Sequence, residues 1–104
     1  MSHDLIIEKE YNKKTNELIY RLKGSVNVAT APKLENDLHD SLKNVRKLVF
    51  DFKELDILTS AGIRVLLTAN DVMNKQGTLY IINANESIRE LFDITSLTDE
   101  LHVH

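Results

Sequence analysis

The feature that most restricts the fold is a strand, a helix and a second strand in direct succession in the second half of the chain. Residues 47–52, KLVFDF, are rich in strand formers with apolar side chains on one face. A helical pattern then begins near Ser60 and ends before Gly77, which is expected to take the left-handed conformation that ends helices. Residues 78–83, TLYIIN, predict another buried strand. Strands joined through a helix are parallel with a right-handed crossover, so we expect a largely parallel sheet.

The helix that follows Ser60 is apolar around most of its circumference. Its apolar positions are Ile63, Leu66, Leu67 and Met73 on one face and Val65, Ala69 and Val72 on an adjoining one, which leaves Arg64, Thr68, Asp71 and Lys75 as a polar strip. An apolar arc this wide predicts burial against a sheet. A deeply packed core helix is the simpler interpretation, and contact of one side with a partner protein is the alternative.

Two strands and a helix precede this unit. Apolar residues alternate in residues 5–7 and again in residues 18–22, and the turn-forming segment NKKTN separates them. We therefore expect an antiparallel hairpin that ends at Gly24. After Thr30, Leu34, Leu38 and Leu42 recur every four positions, with Pro32 in the first turn, which predicts a helix with one buried stripe.

One helix follows the unit. Asn85 is expected to cap it, and Ile88, Leu91 and Phe92 are expected to form its buried side. The closing residues 101–104, LHVH, predict an additional edge strand. The whole chain, residues 1–104, is thus predicted to be one α/β domain, and its functional loops are expected to be GSVNVAT and KELDILTS, at the carboxyl ends of two strands.

Composition and charge exclude several classes of function. There is no cysteine, so a disulfide framework, a thiolate zinc site and a cysteine nucleophile are excluded. The net charge of −3 is spread along the chain and offers no basic face for phosphates, so we expect no direct contact with nucleic acid. No apolar run reaches the length of a signal peptide or a membrane span, which predicts a cytoplasmic protein without membrane insertion.

The polar residues match no common catalytic or metal-binding motif. TSAG lacks the first glycine of a hydrolase elbow, and the three glycines cannot form a phosphate-binding loop, so we expect no enzyme and no cofactor. Asp51, Glu54 and Asp56 are interpreted as solvated loop carboxylates. The histidines are His3, His39, His102 and His104, and their spacing predicts no metal site.

Ser60 is the residue whose role is open, because it stands where a buried strand passes into a helix. Serine is a preferred N-cap, and a side-chain oxygen that accepts a backbone N–H there contributes about 1 kcal/mol. The free N–H groups and the positive dipole end of a helix also tolerate an added phosphate. Capping and phosphorylation are both possible roles for this hydroxyl.

Three segments in order resemble the STAS domains, particularly bacterial anti-sigma factor antagonists. GSVNVATAPKLENDL is similar to the opening of the family's first helix, KLVFDFKELDILTSAGIRVLL to its strand and phosphorylation loop, and SIRELFDITSL to its closing helix. The resemblance covers nearly the whole chain. It implies a mixed, largely parallel sheet of four to five strands, with three to four helices packed mainly on one face.

The resemblance also implies a binding switch. An antagonist of this family captures an anti-sigma factor, often a serine kinase of the histidine-kinase-like ATPase fold, and so releases a sigma factor. The kinase phosphorylates the antagonist, and a metal-dependent serine phosphatase reverses the modification. Ser60 matches the phosphorylated position, with Thr59 as the alternate phosphoacceptor where the best-known antagonists have aspartate. The implied partner-binding residues are Asn27, Thr30, Thr59, Ala61, Gly62 and Arg64.

Other roles for such a domain lack a phosphorylation cycle. A STAS domain can be a scaffold in a stress complex or a regulatory subunit of a membrane transporter. A pocket for a nucleotide or another small ligand is a further alternative.

Overall fold

A computed structural model describes residues 4–104 and contains four strands and three helices. In chain order they are β1 (Leu5–Asn12), β2 (Glu17–Val26), α1 (Ala31–Ser41), β3 (Lys47–Leu58), α2 (Ser60–Asn74), β4 (Thr78–Ile82) and α3 (Glu86–Ile94). The strands form one sheet in the order β1-β2-β3-β4. β1 and β2 are antiparallel, whereas β2 with β3 and β3 with β4 are parallel. The predicted α/β architecture with a mixed sheet is confirmed.

The core lies between the helices and one set of alternating strand side chains. The fully buried positions of the three parallel strands include Tyr20 and Leu22 on β2, Phe50 and Phe52 on β3, and Leu79 and Ile81 on β4. From the helices, the predicted stripes supply Leu34 and Leu38, Leu66 and Met73, and Ile88 and Phe92. Each stripe repeats with the helical period because one face of each helix packs on the sheet.

β2 and β3 are longer than the sequence predicts. β2 continues through Gly24 to Val26, and β3 continues through KELDIL to Leu58, so the segment expected to be a loop is mostly strand. The antiparallel pairing of β1 with β2 ends at Gly24, opposite Leu5, as predicted, although β2 itself continues to Val26 beside β3. Gly24 has a φ of 99°, and a side chain there would collide with the Asp4 carbonyl group. β3 carries extra residues opposite β2 at two register shifts, which sequence periodicity cannot anticipate.

The acidic residues expected in that loop therefore lie on β3. Asp51 accepts a hydrogen bond from the Asn83 side chain at 3.0 Å and lies 3.9 Å from the Arg21 guanidinium. Glu54 lies 3.6 Å from the Lys23 ammonium. These two carboxylates pair with cations across the sheet, and of the three acids Asp56 alone has no ion pair within the described chain.

Gly77 does not adopt the left-handed conformation that was predicted for it. Gly24 is the glycine with positive φ among residues 4–104. At Gly77 the requirement is space, because an added Cβ would lie 2.9 Å from the Arg46 Cα and closer still to the Arg46 carbonyl group. The end of α2 is formed by the N–H groups of Lys75 and Gln76, which donate to the carbonyls of Val72 and Met73.

The carboxyl-terminal residues form one bridge in place of the predicted edge strand. Val103 pairs in parallel with Ile81 of β4, and the Nδ1 atom of His102 lies 2.9 Å from the Leu79 carbonyl oxygen. Of the four histidines, His3 lies outside the described residues. No group of three or more His, Asp or Glu side chains within residues 4–104 is placed to hold a metal ion.

A polar cluster joins α1 to the hairpin at the rim of the core. The Tyr20 hydroxyl donates to Asp37 Oδ1 at 2.7 Å, and Lys9 Nζ lies 3.0 Å from the same oxygen. Burial by itself raises the pKa of the Asp37 carboxyl, but the hydrogen bonds from Tyr20 and Lys9 and the charge of Lys9 leave that pKa below its ordinary value. Burial raises the pKa of the Tyr20 hydroxyl, which remains a donor.

Candidate functional site

The predicted site residues meet at the carboxyl end of the sheet, where β2 passes into α1 and β3 passes into α2. Five of them, Asn27, Thr59, Ser60, Ala61 and Arg64, line a shallow depression of about 410 Å³ together with Val28, whereas Thr30 and Gly62 do not line it. We call it the Ser60 depression. Two segments more than 30 residues apart in sequence meet here because β2 and β3 are parallel neighbours and end together.

Thr59, and not Ser60, is the N-cap of α2. Its backbone is extended, with φ of −106° and ψ of 178°, and Ser60 is already the first helical residue. The Thr59 N–H donates to the Val26 carbonyl at 3.0 Å, and its hydroxyl donates to the same oxygen at 3.3 Å. The cap position is therefore tied to the end of β2, and the predicted capping role of Ser60 is wrong.

Ser60 presents an uncommitted hydroxyl. Its side chain is exposed and makes no hydrogen bond with any residue in the part of the chain that the structure describes. The N–H groups of Ser60, Ala61 and Gly62 have no backbone acceptor within residues 4–104, because they belong to the first turn of a helix. An exposed nucleophilic oxygen thus lies at the positive end of a 15-residue helix.

Asn27 and Thr30 use their side chains to build the wall of the depression. Asn27 Oδ1 accepts from the backbone N–H groups of Ala29 at 2.9 Å and Thr30 at 3.0 Å. The Thr30 hydroxyl accepts from the Asn27 N–H at 2.9 Å and donates to the Ser25 carbonyl at 2.8 Å. These bonds satisfy the turn that begins α1, so the shape of the wall is set before any partner arrives.

Gly62 lies beneath the depression and not on its surface. It is buried, and a Cβ at this position would lie 2.8 Å from Val26 Cγ1 and closer to Leu58 Cδ1. The missing side chain lets the first turn of α2 lie directly on the ends of β2 and β3. Ala61 is partly exposed, and Arg64, one turn after Ser60, is exposed and is the one charged side chain that lines the depression.

Sequence reasoning missed the exposed aliphatic residues around this end of the sheet. Val28 lies in the Ser60 depression and is 82% exposed. Ile57 near the end of β3 is 48% exposed, and Ile94 at the end of α3 is 78% exposed. An apolar side chain in the polar turn GSVNVAT was the available signal for Val28. The same kind of signal was present for Ile57, an apolar residue in the segment KELDILTS that was expected to be a loop.

Comparison with known proteins assigns a family to this geometry. A family model for the STAS domain matches residues 8–104. BtrV of Bordetella bronchiseptica, classed as an anti-sigma factor antagonist, is 40% identical over 80 residues, which are 75% of this chain and 69% of BtrV. No helix within residues 4–104 has the length and apolar content needed to cross a membrane.

Solved structures share the fold at low sequence identity. An anti-sigma factor antagonist from Mycobacterium paratuberculosis matches with a TM-score of 0.86 and 18% identity over 96% of this chain and 85% of its own. The Bacillus cell fate determinant SpoIIAA in its phosphorylated form matches with a TM-score of 0.72 and 15% identity over 90% of this chain and 86% of its own.

Proposed function

The chain belongs to the STAS domain family, and from that premise we propose that it is an anti-sigma factor antagonist controlled by phosphorylation of Ser60. In its unmodified form it binds an anti-sigma factor through the Ser60 depression and so regulates transcription without contacting DNA. The role is one of binding and not of catalysis, and it is exerted in the cytoplasm.

The observation that carries the proposal is the state of the Ser60 hydroxyl. It is exposed and forms no hydrogen bond within residues 4–104, whereas the neighbouring Thr59 hydroxyl donates to the Val26 carbonyl at 3.3 Å. A kinase reaches Ser60 without breaking any internal bond. Phosphorylation of Thr59 has to break one, so Ser60 is the preferred phosphoacceptor of the two.

A phosphate on Ser60 affects the free chain and the complex in opposite ways. It adds about −1.5 to −2 charges, which the unpaired N–H groups and the dipole of α2 stabilise. In a complex the same charge has to be desolvated against the partner. Each 1.4 kcal/mol of lost binding free energy lowers affinity about tenfold, so modest repulsion separates the proteins while the fold persists.

The proposed partners follow from this cycle. The anti-sigma factor is itself a serine kinase of the histidine-kinase-like ATPase fold, and it transfers the phosphate that ends its own complex. A metal-dependent serine phosphatase restores the unmodified chain. Arg64 lies one turn after Ser60, where its guanidinium pairs with the phosphate in the free chain or with an acidic group of the partner in the complex.

Incubation with purified candidate anti-sigma factors of the same organism and ATP tests the proposal. Intact-mass and peptide mass spectrometry should show one added phosphate, located on Ser60. Ser60→Ala should abolish it. Thr68→Ala is the matched control, because Thr68 carries an exposed hydroxyl on the same helix and does not line the Ser60 depression, and it should be labelled like the wild type.

The outcomes separate the possible sites. Labelling that persists in Ser60→Ala and disappears in Thr59→Val moves the switch to Thr59. If an anti-sigma factor binds the chain but no candidate kinase phosphorylates it, the proposed binding role stands and the proposed phosphorylation cycle is rejected.

A further inference from the structure

A second concave surface lies on the other side of the β3–α2 junction, between the end of β3 and α3. It has a volume of about 270 Å³, and we call it the α3 groove. Its main lining residues are Asp56, Ile57, Ile88, Glu90, Leu91 and Ile94. None of the sequence motifs pointed to this groove.

The groove is held open by a polar clamp at its base. The Asn85 side chain donates through Nδ2 to the carbonyls of Leu55 and Asp56, both at 3.3 Å. Its Oδ1 accepts from the Ile88 N–H at 2.9 Å and caps α3. The same residue thus starts the helix and pins it to β3, so the two walls keep their spacing without a ligand.

The walls expose aliphatic side chains. Ile57 is 48% exposed and Ile94 is 78% exposed, while Ile88 beneath them belongs to the core. On α3, residues 87, 91 and 94 lie along one side with spacings of four and three, which is the ridge that another helix packs against. The accessible row is about 10 Å long at 1.5 Å per residue, enough for two turns of a partner helix.

The charge beside these aliphatic residues is negative. Asp56 and Glu90 line the groove, and neither has an ion pair within residues 4–104. No lysine or arginine lines it. An apolar floor between carboxylates is complementary to an apolar helix face that is flanked by lysine or arginine.

The α3 groove and the Ser60 depression are lined by consecutive residues of one segment. Asp56, Ile57 and Leu58 line the groove, and the next residues, Thr59, Ser60 and Ala61, line the depression. A protein docked over Ser60 therefore reaches the groove along one stretch of backbone. A two-turn helix contact alone is too small for a stable complex, but it fits as part of a larger interface.

From these observations we propose that the α3 groove is a second part of the docking surface, and that it receives an amphipathic helix of the protein partner with basic residues beside its apolar face. The proposal rests on the proposed function for the identity of that partner. It assigns to the groove a source of affinity that phosphorylation of Ser60 does not directly alter.

Two matched pairs of variants test the groove against the anti-sigma factor that binds the chain. Ile57→Thr is paired with Ile6→Thr, because both isoleucines lie on strands and are about half exposed, at 48% and 53%. Glu90→Lys is paired with Glu35→Lys, because both glutamates are exposed on helices and lack an ion pair within residues 4–104. Calorimetry measures the affinities, and thermal unfolding checks that all four variants fold.

We expect the groove variants to weaken binding and their controls to leave it unchanged. Ile57→Thr should raise Kd about tenfold and Glu90→Lys about fivefold to tenfold, the latter with a smaller effect at high salt. Wild-type affinity in folded Ile57→Thr and Glu90→Lys would overturn the proposal. If Ser60→Asp still weakens binding in that case, the proposed function stands and only the groove is rejected.

Synthetic peptides test the groove without the partner. One amphipathic helical peptide carries leucine on one face with lysine beside it, and its twin carries glutamate in place of lysine. In NMR titrations of the full chain, the lysine peptide should shift the amide signals of Ile57 and residues 87–94, and the glutamate peptide should not. Equal binding of both peptides, or shifts centred on Leu38 and Val72 between α1 and α2, would contradict the charge argument.

Discussion

The Ser60 depression and the α3 groove share one strand end but are built from opposite chemistry. In the depression, the polar side chains of Asn27, Thr30 and Thr59 form internal hydrogen bonds with the backbone. The Ser60 hydroxyl and the Arg64 guanidinium are left available to a partner. The groove exposes isoleucines between two carboxylates. Under the two proposals, a surface whose affinity depends on one modifiable oxygen lies beside a surface whose affinity depends on buried aliphatic area.

The difference suggests a division of labour within one interface. Aliphatic contacts contribute about 25 cal/mol for each Å² removed from water, whatever the state of Ser60. A phosphate dianion on Ser60 adds an unfavourable electrostatic term to the binding free energy, which opposes that constant contribution. The proposed switch would need both parts, because a complex without the aliphatic contribution would be weak in either state and a complex without the Ser60 hydroxyl could not be released by phosphorylation.

The largest effect is expected from charge at Ser60. Phosphorylation should weaken binding to the anti-sigma factor about hundredfold, and Ser60→Asp about tenfold because it carries less charge, while Ser60→Ala stays within about threefold of the wild type. Surface plasmon resonance measures the affinities, and the melting temperature should change little in all three. If Ser60→Asp bound the anti-sigma factor as tightly as Ser60→Ala, affinity would not depend on charge at Ser60, and the proposed difference between the two surfaces would be wrong.

The next largest effect is expected at Gly62, which supports both surfaces from below. Gly62→Ala places a methyl group against Val26 and Leu58, and we expect a net loss of about 1–2 kcal/mol in the free energy of unfolding despite the higher helix propensity of alanine. Urea unfolding measures it. Ser60→Ala in the same turn is the control and should not destabilise. If Gly62→Ala were more stable than the wild type, the side chains of Val26 and Leu58 would have shifted to accept the added methyl group, and the expected clash would be wrong.

A smaller effect, on stability alone, is expected at Asp37, which belongs to neither surface. Because its pKa is lowered in the folded chain, its contribution is present above the unfolded value of about 3.9 and is lost as pH falls through the folded value. Asp37→Asn should reduce the free energy of unfolding by about 0.5–1 kcal/mol at pH 7 and flatten its decline below about pH 4. Unfolding followed by circular dichroism across pH measures this.

That variant separates stability from binding. Asp40→Asn, an exposed carboxylate on the same helix, is the control and should match the wild type. Affinity for the anti-sigma factor should be unchanged in Asp37→Asn. A parallel loss of affinity would mean that the effects at Ser60 and Ile57 also have to be corrected for stability.

The smallest effect is expected at Arg64. In the phosphorylated chain, Arg64→Gln removes a cation one turn from the phosphate and should cost about 0.3–0.5 kcal/mol of stability relative to the same change in the unmodified chain. Thermal unfolding of the four forms gives this difference. Equal effects in both states would place Arg64 outside the reach of the phosphate.

The position of the candidate site was predictable from the sequence because it depends on local patterns. The strand pattern of residues 47–52 and the small residues of TSAG located Ser60 at the start of the helix that follows this strand, and the structure places its side chain at the surface. The capping role was misassigned, since serine and threonine are both good caps and only the backbone shows that Thr59 is the extended residue before the helix while Ser60 is already helical. The α3 groove was not predictable from any single segment.

The sequence by itself determined the order and type of the seven helices and strands and the buried face of each helix, because those properties follow from the spacing of apolar residues along a few turns or a few strand positions. Tertiary structure decided the lengths of β2 and β3, the burial of Gly62 and the placement of Ile57 and Ile94 on one groove. Each of these depends on pairing or packing between segments far apart in the chain, whose register a local pattern does not encode.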